Sequence, residues 1–218
     1  MFHKLRYLLG KCQTRPIFVI GTGRSGTHWL AGTLKTHREI RATIEVKPMF
    51  RWATQMALDA STQPRLLPKL IFAYRRQLFY SAPRLYLDKS HPNIWLAEPL
   101  KAAFPTAQFL AIERNPYATV ASMLRHRGVA AWHQRWRDFP VPNRFLGISE
   151  ELAEHYDELP LAARCAHRWL ANRQRIVELD DEVLAYRIDL QACRADDLLD
   201  ARHRTRPLCT SGDDALVL

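Results

Sequence analysis

The sequence predicts a three-layer α/β domain, in which a mainly parallel sheet of about five strands is flanked by helices. Short apolar runs alternate with longer amphipathic stretches along the chain, and this alternation of strands with helices is typical of a parallel sheet. The first apolar run leads into a glycine-rich turn at residues 21–27, and a helical pattern follows the turn. A strand, a tight glycine turn and a helix in this order begin many open α/β sheets.

The strand candidates are short and apolar. Residues 17–20 are four apolar residues between a proline and a glycine, which predicts a strand buried on both faces. Later strands are predicted at residues 42–45, 85–88, 108–113 and 183–188. Helices are predicted at residues 29–36, 48–59, 66–80, 93–104, 117–127 and 161–179. Pro64 and Pro68 predict a break before the third of these helices.

The stretch before the last helix is predicted to be irregular. Residues 129–146 contain Pro140 and Pro142, and we expect them to be mostly loop. Ser149 is predicted to cap a short helix, because its hydroxyl can accept a backbone hydrogen bond and Glu150 and Glu151 suit the first turn.

Composition and charge exclude several classes of protein. The chain has 218 residues and a formal net charge of +10, which predicts one domain at residues 1–218 and an anionic partner. No nucleic-acid-binding module is recognisable, so we expect no nucleic-acid partner. No run approaches the ~18 apolar residues of a membrane span, and the N-terminus lacks the pattern of a signal peptide. We therefore expect a cytoplasmic protein without stable membrane insertion, of an oligomeric state that the sequence leaves open.

The four cysteines predict no metal site, because they lack the spacing of metal ligands. We expect free thiols in a reducing compartment. The residues concerned are Cys12, Cys165, Cys193 and Cys209.

The turn at residues 21–27 has the composition of an anion-binding loop. Its glycines let the backbone bend tightly and bring N–H groups close to an anion, and the following helix directs its N-terminal partial positive charge at the same place. These glycines are Gly21, Gly23 and Gly26. Hydroxyl groups and a guanidinium add further donors at Ser25, Thr27 and Arg24. The composition of residues 21–27 therefore predicts a P-loop-like domain that binds a phosphate or sulfate group at this loop.

The loop departs from that of ATP-binding and GTP-binding proteins. Gly21 and Gly26 keep the spacing of the common phosphate loop, GxxxxGK followed by Ser or Thr. Thr27 replaces its lysine, and His28 replaces the hydroxyl residue that binds magnesium. The strong cation is instead Arg24. This pattern disfavours a P-loop kinase and favours an anionic donor that is held without a metal.

Residues 23–29, Gly-Arg-Ser-Gly-Thr-His-Trp, resemble the 5′-phosphosulfate loop of sulfotransferases. That loop usually reads Lys or Arg, then Ser-Gly-Thr, a hydroxyl residue, and Trp or Leu. Trp29 keeps the pattern and His28 departs from it. The resemblance implies 3′-phosphoadenosine 5′-phosphosulfate (PAPS) as donor, 3′-phosphoadenosine 5′-phosphate (PAP) as product and no required metal. The motifs are closest to those of the bacterial and tyrosylprotein sulfotransferase-like group.

A second motif supplies the site that the 3′-phosphate of such a donor requires. Arg114 follows a predicted strand at its carboxyl end, where open α/β sheets bind ligands, and Pro116 begins the next helix. Ser122 lies about two turns along that helix, where it could face Arg114. The segment resembles the family's 3′-phosphate motif, which is Arg, then Asp or Asn, Pro, five further residues and Ser.

Sulfuryl transfer needs a base at the acceptor and cations at the leaving phosphate. Arg24 occupies the catalytic Lys or Arg position of the family's loop. Lys89 lies in a segment that resembles another family motif, which is Glu or Asp, then Lys, then Thr, Ser or Asp, and then Pro. The match holds despite the inserted His91. The resemblance implies that Lys89 contacts the transferring sulfonate.

Two residues are candidates for the base. Glu45 ends the second predicted strand at the ligand-binding edge, and tyrosylprotein sulfotransferases have a catalytic glutamate in a similarly placed segment. His91 is the alternative, because histidine is the usual proton acceptor at neutral pH and cytosolic small-molecule sulfotransferases use a histidine in this part of the chain. We favour Glu45. The acceptor is predicted only as a hydroxyl or amine on a small molecule, a carbohydrate or a peptide.

The C-terminal segment departs from the family. Residues 191–218 follow the last predicted strand, and the family's lid over the adenine and 3′-phosphate is not recognisable in them. We expect an atypical, truncated or divergent end. The alternative to an enzyme is therefore a non-catalytic or degenerate nucleotide-binding protein of the same fold.

Overall fold

A sheet of parallel strands forms the centre of the molecule. The computed structural model describes residues 15–179 and 183–190, so the predicted atypical segment 191–218 lies outside the described residues. The strands are β1 (Pro16–Gly21), β2 (Ile40–Ile44), β3 (Leu85–Lys89), β4 (Gln108–Glu113) and β5 (Leu184–Asp189). Their order is β2-β3-β1-β4-β5, and every neighbouring pair is parallel. This confirms the predicted α/β fold.

Helices connect the strands and cover the sheet. In the described part of the chain they are α1 (Thr27–Leu34), α2 (Met49–Leu58), α3 (Gln63–Ser81), α4 (Ala97–Ala103), α5 (Pro116–Leu124), α6 (Arg127–Gln134), α7 (Glu150–His155) and α8 (Leu161–Glu178). A 3₁₀ turn at His91–Leu96 replaces the start of the helix predicted at residues 93–104. The predicted cap is present, since Ser149 Oγ accepts a hydrogen bond from the Leu152 N–H at 3.1 Å.

Helix α6 lies where the sequence predicted mostly loop, so that prediction is wrong for the first part of residues 129–146. His126 caps the helix by accepting a hydrogen bond from the Val129 N–H at 3.3 Å, and Val129 and His133 are buried. Histidine is not among the residues that usually cap helices, and the capping signal was therefore missed.

Helix α3 continues through a proline. It runs from Gln63 to Ser81 with Pro68 inside it. The predicted break between the two helices is present, but it lies at residues 59–62, before both prolines. Pro64 lies in the first turn, where the missing N–H has no intrahelical partner to lose. The helix buries one face through Leu66, Leu70, Tyr74 and Leu78, and such tertiary packing outweighs the local preference of a proline.

The sheet is buried on both faces. In β1, Phe18 and Ile20 belong to one core cluster and Ile17 and Val19 to another, as the alternation of strand side chains requires. The first cluster includes residues of α2, α3 and α8, and the second includes residues of α1. This confirms the prediction of a strand buried on both faces. The buried Cys165 is a free thiol, and the other three cysteines lie outside the described residues.

The topology fixes where a ligand can bind. β1 lies between β3 on one side and β4 on the other, so the strand order reverses at β1. Open α/β sheets bind ligands at the carboxyl ends of strands beside such a reversal. The loop between β1 and α1 lies at this point.

Candidate functional site

The predicted site residues emerge at one edge of the sheet. Because the strands are parallel, the segments that follow them leave the sheet at its carboxyl edge. The glycine-rich loop follows β1, Glu45 follows β2, Lys89 ends β3 and Arg114 follows β4. The fold thus brings together residues that are far apart in the sequence.

The loop between β1 and α1 depends on glycine at two positions. Gly21 has a φ of 147°, and a Cβ there would lie 2.5 Å from the Ile112 carbonyl oxygen. Gly26 has a φ of 100° and is the N-cap of α1. The N–H groups in the first turn of a helix have no acceptor within that helix, so the first turn of α1 presents donors to the loop. This is the geometry of an anion-binding site.

Ser25 and Thr27 are buried beneath the loop. Ser25 donates its hydroxyl to the Thr22 carbonyl at 2.6 Å, and its backbone N–H donates to the same oxygen at 3.0 Å. Ser25 therefore uses its donors to hold the loop in shape. Backbone N–H groups and the exposed side chains of the loop remain to meet a ligand. Those exposed side chains belong to Arg24, His28 and Trp29.

Arg24 joins the two predicted anion motifs. Its Nε donates to Ser122 Oγ on α5 at 3.2 Å. The sequence led us to expect Ser122 to face Arg114, but no hydrogen bond joins that pair within the described residues. Ser122 instead ties the second motif to the glycine-rich loop.

Arg114 lines a small cavity beside β4 and β5. The cavity has a volume of about 210 Å³, and Thr22, Trp169 and Arg173 also line it. Arg173 pairs with Glu113 at 3.0 Å. Two guanidinium groups, of Arg114 and Arg173, line this cavity together with two carboxylates, of Glu113 and Asp189. A guanidinium group suits a phosphate, because it offers a planar fork of donors. Sequence reasoning missed Arg173, which lies on a helix far along the chain.

Glu45, Lys89 and His28 form one hydrogen-bonded cluster. The Lys89 ammonium donates to Glu45 Oε1 and, at 2.9 Å, to His28 Nδ1. His28 Nε2 lies 3.7 Å from the second carboxylate oxygen of Glu45. The Glu45 backbone N–H donates to the Lys89 carbonyl at 2.9 Å, which fixes the end of β2 to that of β3. The side chain of Lys89 is 1% exposed and that of Glu45 is 24% exposed, so solvent reaches Glu45 more easily than Lys89.

The charges of this cluster shift the titration of its members. Burial raises the pKa of Glu45, but hydrogen bonds from His91 and Lys89 and the positive charge of Lys89 outweigh it and lower the value to about 2. Burial lowers the pKa of Lys89, and Glu45 opposes this effect. Burial and the charge of Lys89 also lower the pKa of His28. Glu45 is therefore an ionised carboxylate at neutral pH.

His91 is enclosed between Glu45 and a buried arginine. Its Nδ1 lies 3.2 Å from Glu45 Oε1, and its Nε2 lies 3.5 Å from an Nη atom of Arg168. Burial and the charges of Lys89 and Arg168 lower its pKa to about 3, although Glu45 acts in the opposite direction. His91 is therefore neutral at neutral pH.

Arg168 is a site neighbour that sequence reasoning missed. The buried face of α8 includes Cys165, Arg168, Asn172 and Ile176, which recur at intervals of three or four residues. A helix normally presents apolar residues at this spacing to the core. Polar residues at positions 168 and 172 of such a face were the signal that could have identified them.

Backbone strain coincides with the candidate site. Among the described residues, Arg24 and Glu45 are the two non-glycine residues with positive φ, at 76° and 50°. Residues with a side chain disfavour this conformation, and it tends to persist at ligand-binding and catalytic positions.

Two further features are absent from the described part of the chain. Residues 15–179 and 183–190 contain no group of three or more His, Cys, Asp or Glu side chains that could hold a metal ion. No helix in these ranges is long and apolar enough to cross a membrane.

Comparisons with known proteins identify similar structures and one matching family. Two solved structures are similar. A sulfotransferase from Alicyclobacillus acidocaldarius has 19% identity and a TM-score of 0.47, over 88% of this chain and 76% of that one. Sulfotransferase STF9 from Mycobacterium avium has 14% identity and a TM-score of 0.47, over 91% of this chain and 67% of that one. No curated protein matches the chain. The model of the sulfotransferase family matches residues 16–185, which is most of the sequence, and the chain therefore belongs to the sulfotransferase family.

Proposed function

We propose that this protein is a PAPS-dependent sulfotransferase that transfers a sulfuryl group to a hydroxyl or amine acceptor. One observation carries the proposal: an anion-binding loop, a buried lysine and an ionised glutamate meet at one edge of the sheet. This set provides the cations and the base that sulfuryl transfer requires. The reaction belongs to the EC 2.8.2 type.

The residues at the carboxyl edge fit the two anionic groups of PAPS. The first turn of α1 and Arg24 suit the 5′-phosphosulfate, and the cavity between Arg114 and Arg173 suits the 3′-phosphate. When bound, PAPS would supply a sulfuryl group that is activated by its phosphate leaving group. The proposed donor site consists of Gly23, Arg24, Ser25, Gly26, Thr27, His28, Trp29, Arg114 and Ser122.

Glu45 is the base that the geometry favours. A base must reach the proton of the acceptor, and the Glu45 carboxylate is partly exposed at the edge where the loop lies. His91 is 6% exposed, and its ring nitrogens face Glu45 and Arg168. Glu45 is held as a weak base while Lys89 donates to it. Its proton affinity would rise once Lys89 turned toward a bound sulfonate.

Three residues of the chain would act in the transfer. Glu45 would take the proton of the acceptor as the acceptor oxygen or nitrogen forms its bond to sulfur. Arg24 would stabilise the negative charge that remains on the donor phosphate when its bridging S–O bond breaks, and Lys89 would contact the transferring sulfonate. We assign these three residues the catalytic roles.

The wider description of the protein is also proposed. We infer that the acceptor is a small molecule, a carbohydrate or a peptide, that no metal is needed and that residues 1–218 form one domain in the cytoplasm. His28 supports the assignment against a P-loop kinase, because the residue at the magnesium-ligand position is engaged with Lys89 and Glu45.

Calorimetric titration with PAP, with and without magnesium, tests the proposal. We expect micromolar affinity that magnesium does not change, and a loss of about tenfold or more in Arg114→Ala, because a charge-assisted contact is removed. Arg84→Ala is the matched control, since Arg84 is exposed and precedes β3 at the opposite edge of the sheet.

Two results would count against the proposal. Absence of PAP binding by folded protein would overturn it. Binding of PAP without sulfuryl transfer from PAPS to a panel of hydroxyl and amine acceptors would favour the non-catalytic alternative.

A further inference from the structure

Arg168 is a buried cation without a carboxylate partner. It is fully buried on α8, and its guanidinium packs between the rings of Trp132 and Phe145, whose centroids lie 4.9 and 4.6 Å from Cζ. Within the described residues, its Nε and Nη1 have no hydrogen-bond partner, and no acidic side chain forms an ion pair with it. Burying an uncompensated charge is unfavourable, so its one directed contact, with His91 Nε2, needs an explanation.

The two neighbours of His91 select the same tautomer. The ionised carboxylate of Glu45 can only accept hydrogen bonds, and the guanidinium of Arg168 can only donate them. A neutral imidazole between them satisfies both only when Nδ1 carries the proton and Nε2 carries the lone pair. The ring is packed against Phe50 and Phe145, which restricts its reorientation.

We propose that Arg168 and His91 are positioning residues for Glu45: Arg168 fixes His91 as the Nδ1–H tautomer, and that N–H holds the Glu45 carboxylate in place at the phosphate loop. The effect on catalysis rests on the proposed function, since it assumes that Glu45 is the base. The tautomer itself does not depend on that function.

The position of Gly23 supports this arrangement. A Cβ at Gly23 would lie 3.1 Å from His91 Nε2 and 3.4 Å from Arg168 Nη2. The contact between His91 and Arg168 therefore lies directly behind the loop, where a glycine leaves room for it. The loop and the base are thereby supported by the same pair of side chains.

Two of the charges around His91, those of Lys89 and Arg168, oppose its protonation, and the charge of Glu45 favours it. Glu45, Lys89 and Arg168 are the charged groups that face His91, and Tyr156, Cys165 and His133 are the titratable groups near Arg168. Burial lowers the pKa of Arg168 to about 10, which still leaves it protonated at neutral pH. Its positive charge opposes protonation of His91 and so preserves a neutral ring with one N–H.

Nitrogen-15 NMR of the full chain, labelled at histidine, tests the proposal without donor or acceptor. The His91 signals are assigned by their loss in His91→Asn. In the parent protein we expect a single Nδ1–H tautomer that does not change between pH 5 and 8. In Arg168→Met we expect the Nε2–H tautomer to appear, or the ring to titrate within this range. Arg164→Met, the same substitution one turn earlier on α8, should leave the His91 signals unchanged.

Two NMR outcomes overturn the proposal. One is an Nε2–H tautomer in the parent protein, which requires no variant to fold. The other is an Arg168→Met protein that folds and keeps the parent tautomer without titrating.

Activity gives a second, separate readout. Asn at position 91 places an amide N–H near the position of Nδ1, whereas Gln places it near that of Nε2. We expect kcat of His91→Asn to exceed that of His91→Gln by tenfold or more, with similar KM values for the donor. Equal kcat values would overturn the role of the Nδ1–H group. If the parent transfers no sulfuryl group, the proposed function fails, while the NMR result still decides the tautomer.

Discussion

Two carboxylates on neighbouring strands have opposite surroundings. Glu45 follows β2 and contacts the Lys89 ammonium, and its pKa is lowered to about 2 against the effect of burial. Asp88 in β3 is fully buried and accepts hydrogen bonds from Thr43, Tyr74 and Asn93 at 2.8, 2.9 and 3.2 Å. Burial raises its pKa to about 6 although these bonds act in the opposite direction. Hydrogen bonds from His91 and Lys89, together with the charge of Lys89, thus decide the pKa shift at Glu45, and desolvation decides it at Asp88.

The difference follows from the geometry of one strand. Asp88 and Lys89 are consecutive in β3, and consecutive side chains of a strand point to opposite faces. Lys89 therefore reaches Glu45 at the carboxyl edge, while Asp88 turns into the core beside Tyr74. The Glu45 region has charged groups suited to chemistry. The Asp88 region is one buried carboxylate among uncharged donors, which suits it to holding strands and helix α3 together.

The largest expected effect is on activity, from the same carboxylate-to-amide change at the two positions. Glu45→Gln should lower kcat for sulfuryl transfer by about 10²- to 10⁴-fold, the usual contribution of a general base. The kcat of Asp88→Asn should stay within about tenfold of that of the parent, because the contacts of Asp88 lie in the core. A tenfold change in kcat corresponds to only about 1.4 kcal/mol of activation free energy. Steady-state kinetics with PAPS measure both.

Unfolding curves must accompany these kinetics, because Glu45→Gln leaves the buried Lys89 without its anion. Activity is therefore compared only between folded samples. Full turnover in Glu45→Gln, together with its loss in His91→Ala, would transfer the role of base to His91.

The second expected effect is a pH dependence of stability that comes from Asp88. Its pKa is about 6 when folded, against an ordinary value of 3.8, so the folded protein binds more protons than the unfolded chain between these two pH values. The free energy of unfolding should therefore fall as pH rises from about 4 to 6 and then level off. The difference between these two pKa values changes the free energy of unfolding by at most about 3 kcal/mol. Asp88→Asn should lack this component.

Urea unfolding of the parent and of Asp88→Asn at pH 4.5, 6 and 7.5 measures the difference between the two proteins. Contributions of other groups cancel in that difference. The contribution of Glu45 has the opposite sign, because its folded pKa of about 2 lies below the ordinary value of 4.5. Its stabilisation is therefore lost only as pH falls below 4.5. Parallel stability curves for the two proteins would show that Asp88 does not titrate as its burial implies.

The sequence was sufficient for features that depend on local pattern. A strand buried on both faces is visible in four apolar residues at 17–20, and the need for Gly21 and Gly26 follows from a tight turn. Glu45 and Lys89 could be placed at the same edge because parallel strands end together. The strand order β2-β3-β1-β4-β5 was not predicted, since it depends on which apolar faces pack together.

Features that depend on distant contacts could not be predicted. Arg168 meets His91 across 77 positions of sequence, and His28 meets Lys89 across 61. The inward hydroxyl of Ser25 depends on the Thr22 carbonyl, whose direction only the folded loop sets. Helix α3 passes through Pro68 because its buried face packs on the sheet, and no window around the proline contains that information.

The smallest expected effect concerns His28, at the exposed border of the Glu45 region. Its side chain is 56% exposed, and Nδ1 accepts a hydrogen bond from Lys89. His28→Ser introduces the hydroxyl that the family usually has here and frees one donor of Lys89. One hydrogen bond contributes about 0.5–1.5 kcal/mol, so we expect PAP to bind about 2- to 10-fold more tightly, as measured by calorimetry. His28→Ala, which lacks the hydroxyl, separates the release of Lys89 from the new donor. Tenfold weaker binding of PAP in both variants would mean that the imidazole itself contacts the donor. The groups around Glu45 that act on the donor would then include His28 at the rim of the loop.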